Sequence, residues 1–462
     1  MTAVAADIGS RAPIVTSRRT IGLVTVTTIL VGLANYGMSL VVVRYLPARE
    51  FSEFAAGQGL LLVLGTGSLA ALPWAVARYL ASPQYDSSRA KAMSFALIGS
   101  ALQAVVLGSI ALLTCWFLGG PAFAIVCGAG TALISMLAGP TGFLQGENQL
   151  AGIAATRSLE TALRIGVSLA LIFLVAHSAV LALVGFPVGT AAALGYALWR
   201  GRHAFPLHRL ERSTAVALSR QAVLLGAIQV LLAMLAALDT VYAEAGRFGP
   251  DAAASYQSAA LLGRIPLFFS SALSIAVYTS LVAARGEAAA GKLLRSSLRT
   301  YAWLTLPFVV ACSTLPGALL YDFVPSSYSQ TLSVLKISCL AGTLVGAINV
   351  LTTAHQARGR FHACITVLTA GVVFQAIALI AGGRSGSVIA FALAALAVAA
   401  ATSLLLAMDA SIWLVRPSVT SLRRVWPVVP LSAIAFLPLP PGAWLAAVTG
   451  LSLTCLYCAF KQ

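Results

Sequence analysis

The sequence predicts an all-α polytopic membrane protein. Of its 462 residues, 59% are hydrophobic and only 9% are charged, whereas soluble domains carry about 25% charged residues. Apolar runs long enough to cross a bilayer, which takes about 20 residues, follow one another along almost the whole chain. The net charge of +16 comes mostly from short segments between these runs. That placement is typical of membrane topology, and we expect no nucleic-acid partner.

Twelve runs predict transmembrane helices, and a further pair follows them. The longest polar segment, Arg200 to Arg220, divides the chain near its middle. We therefore predict an N-terminal six-helix lobe at 1–210, a C-terminal six-helix lobe at 211–415, and an additional helix pair at 416–462. The predicted spans cover about 21–43, 55–80, 92–118, 121–143, 152–176, 178–199, 221–243, 252–283, 300–320, 331–354, 362–382 and 388–410, and the pair covers about 425–437 and 443–460.

Two short loops indicate that the lobes are repeats. Arg44 stands three residues before Pro47, and Arg247 stands three residues before Pro250, each ahead of a helix start that carries aromatic residues. Six spans separate the two loops, so the repeats share one orientation. A parallel repeat predicts a pseudo-two-fold axis along the membrane normal, with a central cavity between the lobes.

The distribution of lysine and arginine predicts the orientation. With a cytoplasmic N-terminus, the outer loops hold only a few cations, and nearly all others outside the spans fall on the inside, as the positive-inside rule requires. The apolar run from Ile21 is too long for a signal peptide and is predicted to be a retained first span. We expect a multi-pass protein of the cell membrane. The predicted outer cations are Arg44, Arg49, Arg247 and Arg384.

Arg264 is the most informative residue for function. It lies near the middle of predicted span eight, beside Pro266, and a charged residue at such a depth costs roughly 2.5–3.5 kcal/mol on insertion scales. Such cations usually face a bundle interior or a water-filled cavity. We interpret Arg264 as one wall of a pathway for an anionic substrate. The alternative is a structural arginine bonded to helix-end carbonyls.

Polar residues form stripes on two predicted spans. One stripe recurs at steps of three and four, and the other at every seventh residue, so each occupies one helix face. Such faces serve close helix packing or line a water-filled path. Both uses stay open for span one, whereas the bulky residues of span eight favour a lining. The stripes are Thr25, Thr28, Gly32, Asn35 and Ser39 on span one, and Gln257, Arg264, Ser271 and Tyr278 on span eight.

The remaining charged residues in spans predict structural roles. Glu160 stands three and four residues from Arg157 and Arg164, a spacing that allows a pair with either. Asp239 lies four residues from the outer end of span seven, where capping or snorkelling explains it. Arg78 closes span two on the inside and is expected to anchor it.

We expect no cofactor, no metal and no disulfide. All seven cysteines lie in apolar runs, and the spacing Cys455–Cys458 lacks the strand–helix context of a redox motif. The sequence contains no nucleotide-binding loop. Any transport must therefore use a gradient, the membrane potential, substrate concentration or a partner.

Several motifs resemble polysaccharide transporters of the multidrug, oligosaccharidyl-lipid and polysaccharide exporter superfamily. The mid-chain segments Leu238-Asp239, Phe248-Gly-Pro-Asp251 and Tyr256-Gln-Ser-Ala-Ala-Leu-Leu-Gly-Arg-Ile-Pro266 resemble the signature of that family. Val43-Arg-Tyr-Leu-Pro-Ala-Arg-Glu-Phe51 resembles its early signature, although the usual glycine is absent and Phe51 comes one residue late. Leu144-Gln-Gly-Glu-Asn-Gln149 resembles its inner loop.

The resemblance implies a central cavity lined by spans one, two, seven and eight, alternating access, and a polyprenyl-diphosphate-linked sugar as substrate. Arg264 would neutralise the diphosphate, and Asn35, Gln257 and Tyr278 would contact the sugar or the diphosphate. Arg44 and Arg78, both at span ends, are the nearby cations. Such a cavity would be less positive than that of a lipid II flippase, which argues against that assignment. A polysaccharide polymerase and glycosyltransferases are candidate partners.

Three other functions stay open. A cation-coupled drug antiporter of the same superfamily would want buried carboxylates, and the sequence offers only Glu160 and the near-terminal Asp239 and Asp409. A membrane enzyme acting on polyprenyl sugars would need acid–base residues that the short outer loops do not supply, so we expect no enzyme. A non-transporting scaffold would lack a polar path.

Overall fold

The computed structural model describes residues 18–81, 88–205, 208, 210–246, 248–284, 286–411 and 439–460. Within these ranges the regular structure is helical, and the predicted all-α membrane class is confirmed. The helices are α1 (Arg18–Tyr45), α2 (Ala48–Ala81), α3 (Arg89–Gly146), α4 (Leu150–Leu174), α5 (Ala179–Arg200), α6 (Arg212–Ala245), α7 (Pro250–Gly263), α8 (Ile265–Ala283), α9 (Glu287–Thr314), α10 (Gly317–Tyr321), α11 (Thr331–Ala357), α12 (Phe361–Arg384), α13 (Val388–Ser411) and α14 (Pro441–Phe460).

Apart from their ends, ten of the twelve predicted spans coincide with unbroken described helix, whereas 252–283 and 300–320 are each divided between two helices. Eight of the described helices are long and apolar enough to cross a membrane by length and composition. The predicted span at 425–437 lies outside the described residues. The division into domains at 210 and 415 stays a prediction.

Two predicted spans are joined in α3, with a break at Gly120. Its φ of 80° is a left-handed conformation that glycine adopts without the steric cost that a Cβ would bring. Pro121 follows directly, and its fixed φ suits the first residue of the next helical segment. The chain therefore turns at the Gly120–Pro121 step without a loop.

The predicted continuous helix at 252–283 is instead two helices, α7 and α8, which meet at Arg264. Pro266 has no backbone N–H and cannot donate to the carbonyl one turn earlier, so the regular series of helical backbone hydrogen bonds is interrupted here. Arg264 N still donates to Ala260 O at 3.1 Å, and Leu267 N donates to Arg264 O at 3.0 Å. The break places Arg264 between the two helix ends.

Helices α2 and α6, one from each predicted lobe, pack antiparallel. Ser52 at the start of α2 donates to Glu244 at the end of α6, and Val63 clusters with Ala233 and Ala237 further along the two helices. At the other end, Val76 and Leu218 share an apolar cluster. The two helices are therefore in contact along most of their length.

The last described helix, α14, packs on the outside of the C-terminal lobe. Leu451 and Cys455 form an apolar cluster with Trp303 and Val310 of α9. Trp444 Nε1 donates to Thr314 Oγ1 at 2.9 Å. Of the predicted C-terminal pair, this helix is the member that the structure describes.

Candidate functional site

The candidate site is built around Arg264 at the break between α7 and α8. Its Nη2 donates to Oδ1 of Asp239 on α6. Tyr256 Oη donates to the other carboxylate oxygen of Asp239 at 2.6 Å, and Thr240 N donates to Oδ1 at 2.9 Å. The side chains of Arg264 and Asp239 are 20% and 12% exposed. The carboxylate thus has three donors in a largely apolar interior.

Close packing against α11 holds the helix break in place. A Cβ at Gly342 would lie 2.0 Å from Gly263 O, so only glycine lets α11 approach the end of α7 this closely. Helical side chains lean toward the N-terminus of their helix. Because α11 fixes the end of α7, the Arg264 side chain is directed back toward Asp239 and Tyr256.

A small cavity lies beside the Arg264–Asp239 pair. Its volume is about 30 Å³, and Ser338, Gln375 and Ala395 contribute to its lining. Gln375 Nε2 donates to Leu235 O at 3.1 Å, while its Oε1 has no hydrogen-bond partner. A cavity of this size accommodates a water molecule.

One sequence-based prediction at this site needs correction. The ion-pair partner of Arg264 is Asp239. Asp239 is not a helix cap or a snorkelling residue at the membrane surface: it is buried. Its distance from the end of α6 suggested an interfacial position, but that distance does not reveal which neighbouring helices cover the residue.

The residues of the stripe predicted on span eight differ in their surroundings. Gln257 is buried, and its Nε2 donates to Thr240 O at 3.2 Å, which places it beside the Arg264–Asp239 pair. Tyr278, on α8, is 38% exposed, and Ser271 is exposed and donates to Leu267 O. The roles assigned to Gln257 and Tyr278 stay predictions.

Asn35 belongs to a different cluster, in the N-terminal lobe. Its Oδ1 accepts from Nη2 of Arg164, and Arg164 pairs with Glu160 at 3.7 Å. Thr190 Oγ1 donates to Glu160 at 3.4 Å, and the guanidinium lies 4.8 Å from the ring centre of Phe186. The predicted pairing of Glu160 with Arg164 is therefore confirmed. Asn35 is engaged by a side chain of the protein.

The remaining predicted residues lie at helix ends. Arg44 is exposed in the last turn of α1. Arg78 is in the last turn of α2, with its guanidinium 5.3 Å from the ring centre of Trp74. The side chains of Thr25 and Thr28 lie outside the described residues. Of the six predicted site residues, Arg264 and Gln257 both bond to neighbouring residues of α6, Asp239 and Thr240.

Sequence reasoning missed three members of the site. Asp239, Tyr256 and Gln375 surround Arg264 from α6, α7 and α12. The pairing of Asp239 could have been predicted from the sequence. A carboxylate in an apolar run needs a partner, and Arg264 is the cation in the following span. Within the described ranges, no group of three or more histidine, cysteine or acidic residues is placed to hold a metal.

The fold has clear relatives among solved structures. The structure titled "Lipid II flippase MurJ, inward closed conformation" matches with a TM-score of 0.73 over 94% of this chain and 97% of that chain, at 13% identity. An inward-facing multidrug resistance MATE transporter of the MOP superfamily matches with a TM-score of 0.61 over 85% of this chain and 98% of that chain, at 16% identity.

A eukaryotic MATE transporter, AtDTX14, also matches with a TM-score of 0.61, over 86% of this chain and 95% of that chain, at 13% identity. No family model and no curated protein matches the sequence. The chain has the MOP-transporter fold. In this MOP-fold protein, Asp239 lies on α6, which corresponds to predicted span seven. Arg264 lies at the break between α7 and α8, which together correspond to predicted span eight.

Proposed function

We propose that this protein is a flippase that moves a polyprenyl-diphosphate-linked oligosaccharide from the inner to the outer leaflet by alternating access. A sugar hydroxyl stripped of its hydrogen bonds costs a few kcal/mol, so spontaneous crossing of about 30 Å of hydrocarbon is negligible. A hydrated cleft between the lobes would carry the sugar while the lipid tail stays in the bilayer. The fold shared with a lipid II flippase supports this proposal.

The observation that carries the proposal is a partly exposed guanidinium at a helix break inside the bundle. Arg264 is held by Asp239, but Asp239 has two further donors, Tyr256 Oη and Thr240 N. A diphosphate offers arginine charge-assisted, bidentate bonds. We infer that the diphosphate replaces Asp239 as the partner of Arg264, while the two remaining donors keep the released carboxylate hydrogen-bonded.

The exchange requires the lobes to separate. The cavity beside Arg264 is about 30 Å³, and α2 and α6 are in contact from Ser52–Glu244 to the cluster containing Val76 and Leu218. Opening of this interface toward the predicted cytoplasmic side would admit the substrate. A membrane potential that is negative inside favours outward movement of an anion by about 2.3 kcal/mol per charge per 100 mV.

The proposal is tested by depleting the protein in its native cell and measuring lipid-linked sugars on each leaflet. We expect a precursor to accumulate on the inner leaflet and to disappear when the wild-type chain is restored. The accumulated sugar would identify the substrate and show which glycosyltransferases and polymerase act before and after this step. Unchanged lipid-linked sugars on both leaflets would reject the proposal.

A cation-coupled antiporter is the second candidate, and one observation favours it. Asp239 was predicted near a span end, but the structure buries it beside a small cavity, and two MATE transporters share the fold. Its pairing with Arg264 opposes cation binding there, because the guanidinium already neutralises the carboxylate. Accumulation of a cationic dye in depleted cells, with lipid-linked sugars unchanged, would favour the antiporter.

A further inference from the structure

Two tyrosine hydroxyl groups in the predicted outer half of the molecule are buried without a hydrogen-bond partner among the described residues. They belong to Tyr36 of α1 and to Tyr328 in the loop before α11, so each predicted lobe contributes one. Water bonds to such a group in the unfolded chain, and burying it without a partner therefore costs free energy. Few buried side-chain polar groups in native proteins are left in this way. The two hydroxyl groups therefore need an explanation beyond packing.

Both tyrosines are covered by residues of the opposite predicted lobe. Tyr328 is 1% exposed, although most of the loop around it is exposed. Its ring stacks on that of Phe51 at the start of α2, with the ring centres 6.2 Å apart. Tyr36 lies near Cys312 of α9 and Cys339 of α11. The two hydroxyl groups thus lie where the N-terminal and C-terminal parts of the chain meet on the predicted outer side.

Separation of the predicted lobes at the outer end would uncover both hydroxyl groups. Phe51 and Tyr328 belong to one apolar cluster that contains residues of both lobes. Ser52, next to Phe51 in the sequence, donates to Glu244 across the same interface. Release of a substrate to the outer side by alternating access needs this end to part. Tyr328 would then lose its cover from α2, and Tyr36 would lose its cover from α9 and α11.

The charged groups at this end favour an uncharged ligand. Asp251 lies near Tyr328, and Glu244 lies at the same end of the α2–α6 contact. The cation Arg49 is paired with Glu53 at 3.2 Å. Carboxylates repel a diphosphate but accept hydrogen bonds from hydroxyl groups, and a phenol both donates and accepts them. This set of groups therefore fits the uncharged hydroxyl groups of a sugar.

We propose that Tyr36 and Tyr328 form a contact site for the sugar, which becomes accessible when the predicted lobes part at the outer end. Each phenol then exchanges an unsatisfied hydroxyl group for a hydrogen bond to the sugar, so binding at the site favours the parted arrangement. The sugar is held on the outer side while the diphosphate leaves Arg264. This inference rests on the proposed function and adds to it a specific site for the sugar.

Tyr36→Phe and Tyr328→Phe test the site, because each removes one oxygen atom and keeps the ring. Neither variant loses a hydrogen bond of the described structure, so we expect melting temperatures in detergent equal to or above that of wild type. Export should fall roughly 2- to 12-fold in each variant, the range that corresponds to the net contribution of one hydrogen bond. Export is measured as loss of the lipid-linked precursor from the inner leaflet after each variant is restored to depleted cells.

Tyr301→Phe is the matched control, because Tyr301 Oη donates to Thr343 O at 2.8 Å. Its melting temperature should fall, while export per folded molecule should equal that of wild type. A comparable fall in melting temperature for Tyr36→Phe or Tyr328→Phe would mean that these hydroxyl groups are bonded in the folded protein, and it would overturn the proposal. Wild-type export by both variants would also overturn it.

Labelling of Cys312 and Cys339 separates contact with the sugar from an effect on opening alone. Both thiols are buried and lie near Tyr36, so a maleimide that does not cross membranes should reach them from outside only while the outer ends are apart. Mass spectrometry measures their labelling. We expect export by the two phenylalanine variants to fall further than labelling. Export that falls only in proportion to labelling would overturn the proposal.

Depletion of the protein distinguishes failure of this inference from failure of the proposed function. If depletion leaves lipid-linked sugars unchanged, the proposed function is rejected and the sugar-contact site with it. If depletion causes the precursor to accumulate and both phenylalanine variants clear it as wild type does, the flippase function stands and the sugar-contact site alone is rejected.

Discussion

Arg264 donates a hydrogen bond to Asp239 between the α7–α8 break and α6, so the charge that first suggested an anion pathway has a partner inside the protein. Both side chains are largely buried. Removing one member of such a pair leaves the other charge buried without a partner, which typically lowers the free energy of unfolding by about 3–5 kcal/mol. A single substitution of Arg264 therefore mixes a loss of stability with any loss of transport.

The double variant Arg264→Gln/Asp239→Asn separates the two effects. It removes both charges and leaves hydrogen-bonding amides, so we expect near wild-type abundance and melting temperature. If the diphosphate needs the guanidinium, flipping of the lipid-linked sugar falls roughly 10- to 100-fold, since hydrogen bonds to charged groups contribute about 1.5–3 kcal/mol. Flipping is measured by the appearance of labelled lipid-linked sugar in the outer leaflet.

The matched control is Arg164→Gln/Glu160→Gln, which removes another ion pair, in the N-terminal lobe. We expect it to keep substantial flipping at equal abundance. Full flipping by the Arg264→Gln/Asp239→Asn protein would show that Arg264 serves only to neutralise Asp239. Equal losses in both double variants would indicate a general effect of removing buried charge.

The helices were predictable because hydrophobic run length is a local property of the chain. Ten of the twelve predicted spans coincide with unbroken described helix, and the dense apolar runs left no alternative to a membrane fold. The joined spans of α3 and the α7–α8 break were less predictable. Proline and glycine occur inside many membrane helices, and neighbouring helices decide which of them interrupts the helix.

The site was predicted less well because its members are far apart in sequence. Arg264 could be singled out from the cost of a buried charge, but its partner Asp239 lies 25 positions away, on another helix. Asn35 and Gln257 shared the stripe pattern of a lining, yet Asn35 accepts from Arg164 and Gln257 donates to Thr240 O. Periodicity places residues on one helix face and does not specify what that face contacts.

Substitutions of Asn35 test whether it acts through Arg164. Asn35→Leu removes the acceptor, so we expect a loss of about 1–3 kcal/mol of stability from an unsatisfied guanidinium N–H. Asn35→Asp keeps an acceptor of the same shape and should retain most of the stability. The measurements are melting temperature and flipping per folded molecule. A full loss of flipping in a normally stable Asn35→Asp protein would instead favour direct contact with the substrate.

Gly342→Ala tests the packing that holds the helix break. The added methyl would meet Gly263 O at 2.0 Å, and a backbone atom cannot move aside cheaply, so we expect a loss of about 1–3 kcal/mol from overpacking. Flipping should fall further than abundance, because Arg264 would be displaced. Gly166→Ala is the control, since a Cβ there has no neighbour within 4 Å. Alanine should be neutral or slightly stabilising at that position. Equal melting temperatures for the two variants would contradict this account.

Cross-linking of the α2–α6 interface tests alternating access itself. Ser52 and Glu244 are in contact at one end of that interface, which the predicted topology places on the outer side. In a Ser52→Cys/Glu244→Cys protein, a short thiol-reactive cross-linker would hold the lobes together there. Release of substrate into the outer leaflet requires the lobes to part on that side, so we expect flipping to stop. A cleavable linker should restore flipping after reduction.

Ser68→Cys/Ser135→Cys is the control pair for this experiment. The two hydroxyl oxygens lie 2.8 Å apart between α2 and α3, both in the N-terminal lobe, so a cross-link there should not prevent the lobes from separating. The native cysteines are unpaired and buried or half-buried in the described ranges, and cross-linker added to the unsubstituted protein measures their contribution. Undiminished flipping by the fully cross-linked Ser52–Glu244 pair would mean that the outer ends of α2 and α6 stay together throughout transport. The substrate would then have to leave by another path between the lobes.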